Sequence, residues 1–182
     1  MDGILVECKT GKLDYKSYRN YSRFMLFRGR GYKIGPILFF SLSGILLAYF
    51  LLVKVPANSF SVFDSVMWSI LGGLVALLLF LYFLQPKIAY KKREPLLADE
   101  IRYRFFEDRL EAESEGKCAK GTSDYKYPIF KKVYEVNTAY YLMLLLNSTA
   151  IAIPKQYLDE TQIEMLSHFF SDYFGEKYEN CK

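Results

Sequence analysis

The residues whose side chains could carry out chemistry are few and far apart in this 182-residue chain. His168 is the only histidine, and its position four residues after Glu164 places it on the polar side of a predicted helix, as a solvated residue and not a general base. Cys8, Cys118 and Cys181 show no CxxC spacing, so we expect reduced thiols. The sequence predicts no metal site and no cofactor.

Two further patterns resemble functional motifs only in their spacing. Gly29 and Gly31 lie in a basic stretch, whereas a phosphate-binding glycine loop connects a strand to a helix. Glu111, Glu113 and Glu115 alternate along one face of a predicted strand, which fits solvent exposure better than paired acid–base catalysis. We therefore predict no catalytic residue and do not expect an enzyme.

Lys155 is the one basic residue of the C-terminal half that we single out as a candidate contact. It follows Pro154 at the end of a predicted strand, where its backbone is held rigidly. Its ammonium could meet a phosphate or a carboxylate there, and an exposed surface lysine is the simpler interpretation. The sequence leaves both open.

Two stretches of the chain, 34–53 and 65–84, contain no charged residue. At about 1.5 Å rise per residue, each forms a helix of about 30 Å, the thickness of the hydrocarbon core of a bilayer. The alternative is a pair of buried helices, but the remaining chain has too few apolar segments to cover them on every side. The sequence predicts two transmembrane helices joined by an external loop at 54–64.

Basic residues flank both predicted spans, whereas the connecting segment holds only Lys54. Because basic flanks stay on the cytoplasmic side, both termini are predicted to be cytoplasmic. The flanks include candidate contacts for anionic lipid or a partner: Lys16, Arg19, Arg23, Lys87, Lys91, Lys92 and Arg93. The first three lie on a predicted basic and aromatic helix, 14–27, which could rest among lipid headgroups. Simple anchoring is the favoured interpretation, because any span needs such flanks, and no nucleic-acid motif accompanies them.

Small residues recur at four-residue spacing in both predicted spans. They are Gly44 and Ala48 in the first span, and Ser69, Gly72, Gly73 and Ala76 in the second. Such residues let helix backbones approach closely, so they are candidates for packing within a hairpin or against further helices, unless they are filler. Neither span carries an ionisable residue at its centre, which argues against an ion path or a transporter.

Residues 99–175 carry the pattern of a small α+β domain. Apolar and charged residues alternate on both sides of residues 107–108, which predicts a hairpin with one apolar and one charged face. The predicted pairs are Phe105 with Leu110, Tyr103 with Ala112, Arg104 with Glu111, and Arg102 with Glu113. Because every pair agrees with this division, the pattern predicts the register as well as the hairpin.

The remaining elements follow from shorter signals. A short strand is predicted at 3–8 and a polar loop at 115–122, and further strands are predicted at 123–127, 131–136, 140–146 and 149–153. The run YYLMLLL has no polar side, which predicts a central strand that is covered on both faces. Asp159 with Gln162 predicts a capping box at the start of the last helix, and Gly175 predicts its end.

The order of these elements resembles the YcxB-like family of small bacterial membrane proteins. The segments that carry the resemblance are FFEDRLEAES, YPIFKKVYEV, YYLMLLL and AIAIPKQYL, followed by the last helix. The strand that ends in Ile153-Pro154-Lys155 is the most specific of them, and Pro128 departs from the polar residue that the family often has there. The resemblance implies a bacterial plasma-membrane protein whose bent antiparallel sheet is closed by a C-terminal helix, pleckstrin-homology-like by analogy.

These observations predict a membrane helical hairpin that carries a small cytosolic α+β domain. The predicted divisions are a cytosolic N-terminal segment at 1–33, spans at 34–53 and 65–84, a basic linker at 85–98, the domain at 99–175 and a tail at 176–182. We expect the domain to bind a protein, a peptide or a lipid headgroup at the membrane. The alternative is an accessory subunit of a larger membrane complex, so the expected partners are the bilayer and another protein or a second copy.

Overall fold

The chain forms an α+β structure in two compact units. The computed structural model describes residues 3–27, 31–50, 52, 62–116, 120–145 and 149–181. Residues 1–21 and 90–182 form one unit, called the sheet unit here, and residues 22–89 form the other, called the helix unit. The chain thus enters the sheet unit, leaves it for the helix unit and returns.

The sheet unit contains two four-stranded sheets. The first has the order β1-β2-β3-β4 and is antiparallel throughout. Its strands are β1 (Val6–Gly11), β2 (Glu100–Phe105), β3 (Arg109–Glu115) and β4 (Lys120–Lys126). The second has the order β7-β6-β5-β8, with β8 parallel to β5. Its strands are β5 (Phe130–Glu135), β6 (Ala139–Leu144), β7 (Ala150–Pro154) and β8 (Tyr178–Asn180).

Both sheets and the last long helix contribute to one hydrophobic core. Phe105 and Leu110 from the first sheet, Phe130 and Leu142 from the second, and Phe170 from the helix have no exposed surface. Aromatic rings dominate the contacts, and the Phe105 and Phe170 rings meet edge to face at 5.5 Å. The core holds the two sheets and the helix together as one unit.

The predicted hairpin register is confirmed in every pair. Phe105 lies opposite Leu110 and Arg104 lies opposite Glu111, as do the other two predicted pairs. The guanidinium of Arg104 donates to Glu111 at 3.1 Å and to Glu113 at 3.2 Å. On its other side β2 pairs with β1, so Arg104 also lies opposite Glu7. This strand is therefore an inner strand of its sheet.

The other predicted elements are present with shifted bounds. The strand β6 is central in its sheet and buried from Ala139 to Met143, as the apolar run predicted. The predicted loop at 115–122 was wrong in part, because residues 120–122 pair with β3 through their backbones. Polar side chains on an exposed edge strand give no apolar signal in the sequence. The predicted tail contains β8, which pairs in parallel with three residues of β5.

The last helix, α5, has the predicted capping box. It spans Glu160–Phe174 and is numbered after the four helices that precede it in the chain, which are described below. The Asp159 carboxylate accepts from the Gln162 amide at 2.7 Å, and the Gln162 side chain accepts from the Asp159 amide at 3.2 Å. Gly175 ends the helix at a φ of 47°, a backbone conformation that residues other than glycine rarely adopt.

The remaining helices are α1 (Tyr15–Phe27), α2 (Gly31–Tyr49), α3 (Val62–Leu79) and α4 (Gln85–Arg93). A π-helical turn, Phe80–Leu84, joins α3 to α4. The second predicted span ends at residue 84, whereas the helix continues beyond it to Arg93. Pro86 has no amide hydrogen, and the wider turn before it accommodates the missing bond. The predicted external loop lies almost entirely outside the described residues.

Among the described residues, one helix has the length and composition to cross a membrane. It is Trp68–Leu96, with a mean hydropathy of 2.0 and no residue of its apolar window buried. The apolar part of α2, Ile37–Tyr49, is shorter. These two helices occupy the places of the two predicted spans.

Candidate functional site

The sheet unit contains a cavity of about 290 Å³. Three stretches that are far apart in the sequence line it: residues 10–21, residues 93–103 and residues 150–154. Most of the wall is apolar or aromatic, with Leu13, Tyr18, Ile101 and Ile151 among the contributing side chains. The cavity therefore depends on segments from before and after the helix unit.

The antiparallel pairing of β1 with β2 brings the first two of these stretches together. Gly11 at the end of β1 lies opposite Glu100 at the start of β2, so the turn into α1 faces the chain that returns from α4. The Tyr157 hydroxyl donates to the Lys12 carbonyl at 2.8 Å and fixes this turn. A Cβ on Gly11 would lie 3.1 Å from the Tyr157 ring, so glycine permits the close approach.

The start of α1 is held by a capping carboxylate. Asp14 accepts from the Ser17 amide at 3.1 Å and from the Gln156 side chain at 3.3 Å. Burial alone would raise the pKa of Asp14, but the hydrogen bonds from Ser17 and Gln156 outweigh it and hold the pKa below its ordinary value. The cap is therefore ionised at neutral pH and keeps α1 in place beside the cavity.

Tyrosines pack the first turns of α1 into the sheet unit. Tyr18 is buried, and its ring lies 5.6 Å from that of Tyr90. The Tyr21 ring lies 5.9 Å from that of Tyr141 on β6, and the Tyr21 hydroxyl accepts from the Ala150 amide at 3.4 Å. Tyr18 and Tyr21 thus pack α1 against the sheet unit, Tyr21 against Tyr141 of the second sheet.

Hydroxyl groups and one cation supply the polar part of the cavity wall. Thr10 is buried and donates to the Ile101 carbonyl at 3.4 Å, and Tyr21 and Tyr103 add phenol groups. Burial raises the pKa of Tyr103 well above its ordinary value, so this phenol stays protonated. Arg93 is the only charged residue among the described lining residues, which include no carboxylate, histidine or cysteine.

The predicted basic contacts differ in their surroundings. Lys16, Lys87, Lys91, Lys92 and Arg93 are exposed, whereas Arg19 and Arg23 are half-buried. The guanidinium of Arg23 lies 4.0 Å from the centre of the Tyr82 ring, a cation–π contact within the helix unit. Only Arg93 of this set lines the cavity, and no pattern in the sequence distinguishes it from the neighbouring lysines.

Lys155 lies in a buried polar network. Its Nζ donates to Oε1 of Glu135 at 2.6 Å, and Glu135 is fully buried. Ser167 donates to the same oxygen at 3.1 Å, and the Tyr178 hydroxyl donates to the other one. The ring of Tyr140 lies 4.5 Å from the ammonium, and its hydroxyl lies 2.8 Å from the Ser167 hydroxyl.

This network corrects the interpretation of Lys155 as an exposed surface residue. The carboxylate that its ammonium meets belongs to Glu135 of the same chain, so the ammonium is already paired. Burial raises the pKa of Tyr140 to about 12, and burial together with the Glu135 carboxylate raises the pKa of Tyr178, so both phenols remain donors. The carboxylate is fully buried, and its two oxygens already accept from Lys155, Ser167 and Tyr178, so it offers no open position for a substrate.

The remaining candidate groups are structural. His168 is exposed on α5, as predicted. Cys8 and Cys181 are buried free thiols, and burial raises the pKa of Cys8 to about 12. Cys118 lies outside the described residues. No group of three metal-ligating side chains occurs in the described part of the chain.

The helix unit contains a groove of about 560 Å³ between α2 and α3. Gly44, Gly72 and Ala76 line it, whereas Ala48, Ser69 and Gly73 do not. A Cβ added at Gly44, Gly72 or Gly73 would meet nothing within 4 Å. Open space therefore lies beside these glycines within the described part of the chain, and packing against a further helix stays a prediction.

No protein-family model, no characterised protein and no solved structure matches the chain. The resemblance to the YcxB-like family therefore remains an expectation from the sequence. The cavity was missed because its three stretches come together only through long-range contacts, among them the pairing of β1 with β2 and the Tyr21–Ala150 hydrogen bond.

Proposed function

We propose that the chain is a membrane-anchored binding protein whose sheet unit takes up a ligand in its cavity. The cavity carries the proposal, because apolar walls with a few polar groups are typical of binding sites. The described lining residues offer neither a nucleophile with a base nor a pair of carboxylates, which favours binding over catalysis.

The composition of the helix unit supports the membrane anchor. Ile37, Ile45 and Leu52 expose 65%, 65% and 75% of their surface. At about 25 cal/mol per Å² of apolar surface, so many exposed aliphatic side chains are unfavourable in water and favourable in lipid. Tyr21 directly precedes this unit and Arg93 closely follows it, so the cavity is lined by residues next to the proposed anchor in the sequence.

The layout of the sheet unit agrees with the pleckstrin-homology-like arrangement that we propose for it. Four strands in meander order form one sheet, three consecutive strands form most of the other, and α5 packs into the core between them. This layout concerns the fold alone and assigns no ligand. The ligand has to be argued from the side chains of the cavity.

Hydrogen exchange of the full chain in nanodiscs tests the binding function. We expect amides of residues 97–103 and 150–154 to gain protection in nanodiscs of bacterial polar lipid compared with pure phosphatidylcholine. Ala150→Phe, which fills the cavity, should abolish the gain, and Thr149→Phe, at an exposed neighbouring position off the cavity, should retain it. Equal protection in both lipids for all variants would contradict the proposal.

The groove of the helix unit favours a second candidate function, an accessory subunit that docks against another helix. Gly44→Leu would fill the groove, whereas Gly73→Leu would not. If the groove holds a helix of a second copy, the first substitution should reduce the oligomer size in detergent and the second should leave it unchanged. The same size for both variants would exclude this candidate.

A further inference from the structure

We propose that the cavity of the sheet unit binds a single-chain amphiphile with one anionic head group, a carboxylate or a phosphate. The inference rests on the proposed binding function and specifies its ligand. It follows from three properties of the cavity: its size, the chemistry of its walls and the position of its single charge.

The size limits the part of the ligand that can be enclosed. An apolar cavity of about 150 Å³ takes up benzene, so the cavity of about 290 Å³ has room for roughly a dozen non-hydrogen atoms. A nucleotide or a two-chain phospholipid is too large to enter whole. A chain of about ten carbons with a small head group has the matching size.

The walls favour a hydrocarbon chain. Leu13, Leu97, Ile101, Ile151 and Pro154 contribute aliphatic surface from all three stretches of the chain. Placing a chain against such walls removes apolar surface of both partners from water, which is favourable by about 25 cal/mol per Å². A sugar or a free amino acid would lose hydrogen bonds to water that these side chains cannot replace.

The single charge favours an anion. Arg93 lines the cavity, is exposed and makes no ion pair within the described part of the chain. Glu94, the carboxylate next to it in the sequence, lies 3.9 Å from Lys12. A guanidinium binds carboxylate and phosphate oxygens through paired hydrogen bonds, and a phenol such as Tyr103 can donate a further one.

Equilibrium binding of radiolabelled decanoate tests the inference. The full chain is held in phosphatidylcholine nanodiscs, and the signal of empty nanodiscs is subtracted to remove partition into the bilayer. We expect saturable binding of decanoate or of decyl phosphate, and the stronger of the two identifies the head group. Decanol should bind at least about tenfold more weakly, because it lacks the charge that Arg93 recognises.

Matched variants separate the cavity from general electrostatic attraction. Arg93→Gln should weaken binding of the anion at least about tenfold, and Lys91→Gln should change it by less than about twofold. Lys91 is exposed on the same helix but does not line the cavity, so it controls for the loss of a positive charge. Equal loss in both variants would overturn the assignment of the anion to Arg93.

The location of the ligand is read from a photoreactive decanoate that carries a diazirine on its chain. Crosslinks should fall on peptides that contain residues 97–103 and 150–154. Decanol that binds as tightly as decanoate, with these same crosslinks, would overturn the anionic class and leave the binding function intact. Crosslinks confined to the helix unit, with no saturable binding of any probe, would overturn both.

Discussion

The two units of the molecule place their apolar residues in opposite ways. In the sheet unit, side chains such as Phe105 and Leu142 have no exposed surface, and even a carboxylate, Glu135, is buried with its partners. In the helix unit, Ile45 and Ile70 expose 65% and 60% of their surface. The sheet unit thus has its own core, and the exposed apolar side chains of the helix unit are the basis for the membrane anchor that we propose.

Loss of β1 should have the largest effect on the sheet unit. A chain of residues 95–182 lacks this strand, so β2 loses one of its two partner strands and the core loses the buried Val6 and Cys8. We expect that fragment to be unfolded or aggregated. Residues 3–21 joined to 90–182 by a short glycine–serine linker should fold, because Tyr18 and Tyr90 pack against each other.

The dispersion of amide signals in NMR spectra distinguishes these two chains. Dispersed signals from the joined chain and collapsed signals from 95–182 are the expected result. If 95–182 alone gives dispersed signals, β1 is an accessory strand and the sheet unit is smaller than described.

The hairpin gives the next largest effect. Leu110→Lys places an ammonium among apolar side chains and should destabilise the sheet unit by several kcal/mol, about 3 to 5. Glu111→Lys, at the neighbouring position on the opposite face, should cost about 1 kcal/mol or less, because Arg104 keeps its contact with Glu113. Urea denaturation measures both, and similar losses would contradict the assignment of faces.

Removing one partner of the buried Lys155–Glu135 ion pair should reduce the free energy of unfolding by an amount comparable to that of Leu110→Lys. Lys155→Met leaves the Glu135 carboxylate without its cation and should cost about 3 kcal/mol. Adding Glu135→Gln should recover part of this loss, because a neutral amide needs no counter-charge. The control is Lys131→Met, at an exposed position of β5, the strand that carries Glu135. It should change the free energy of unfolding by less than about 0.5 kcal/mol.

The buried thiol of Cys8 should make the stability of the fold depend on pH in the alkaline range, with a smaller effect than the substitutions above. Burial raises the pKa of this thiol from 9.0 to about 12 in the folded chain. Between these values the folded state keeps a proton that the unfolded state loses, so the contribution is complete below pH 9 and is lost as the pH rises toward 12. One group changes the slope by about 1.4 kcal/mol per pH unit at most.

Replacement of the thiol isolates its share of the alkaline loss. The urea midpoint of Cys8→Ala should fall less steeply between pH 9 and 11 than that of the parent chain. Tyrosines with a raised pKa, such as Tyr140, should keep part of this pH dependence in both proteins. Parallel curves for the two proteins would show that Cys8 is not buried in its protonated form.

The part of the fold that sequence reasoning could predict is the local part. The hairpin register and the capping box depend on residues within about ten positions of each other, so the pattern of apolar and charged side chains determines them. The pairing of β1 with β2 joins Val6 to Phe105 across the whole helix unit, and no local pattern carries it. The cavity depends on that pairing and was missed with it.

Lys155 shows why the candidate site was only half predicted. The strand end after Pro154 marked this lysine as special, but the sequence could not tell a carboxylate partner from solvent. The one available signal was Glu135, an acidic residue in the strand FKKVYE that precedes the apolar run. Its burial follows from the pairing of β5 with β6 and β8, which adds neighbours on both sides.

The membrane anchor is the central claim, and thiol labelling of spheroplasts tests it most directly. Ser59→Cys and Glu164→Cys are introduced separately into a Cys118→Ser chain. Native Cys8 and Cys181 are buried, so they should stay silent, and Glu164 is exposed on α5. Ser59 belongs to the predicted external loop, outside the described residues. We expect an impermeant maleimide to label Ser59→Cys in intact spheroplasts and to label Glu164→Cys only after permeabilisation. Labelling of Glu164→Cys without permeabilisation, or protection of Ser59→Cys until the membrane is opened, would contradict it.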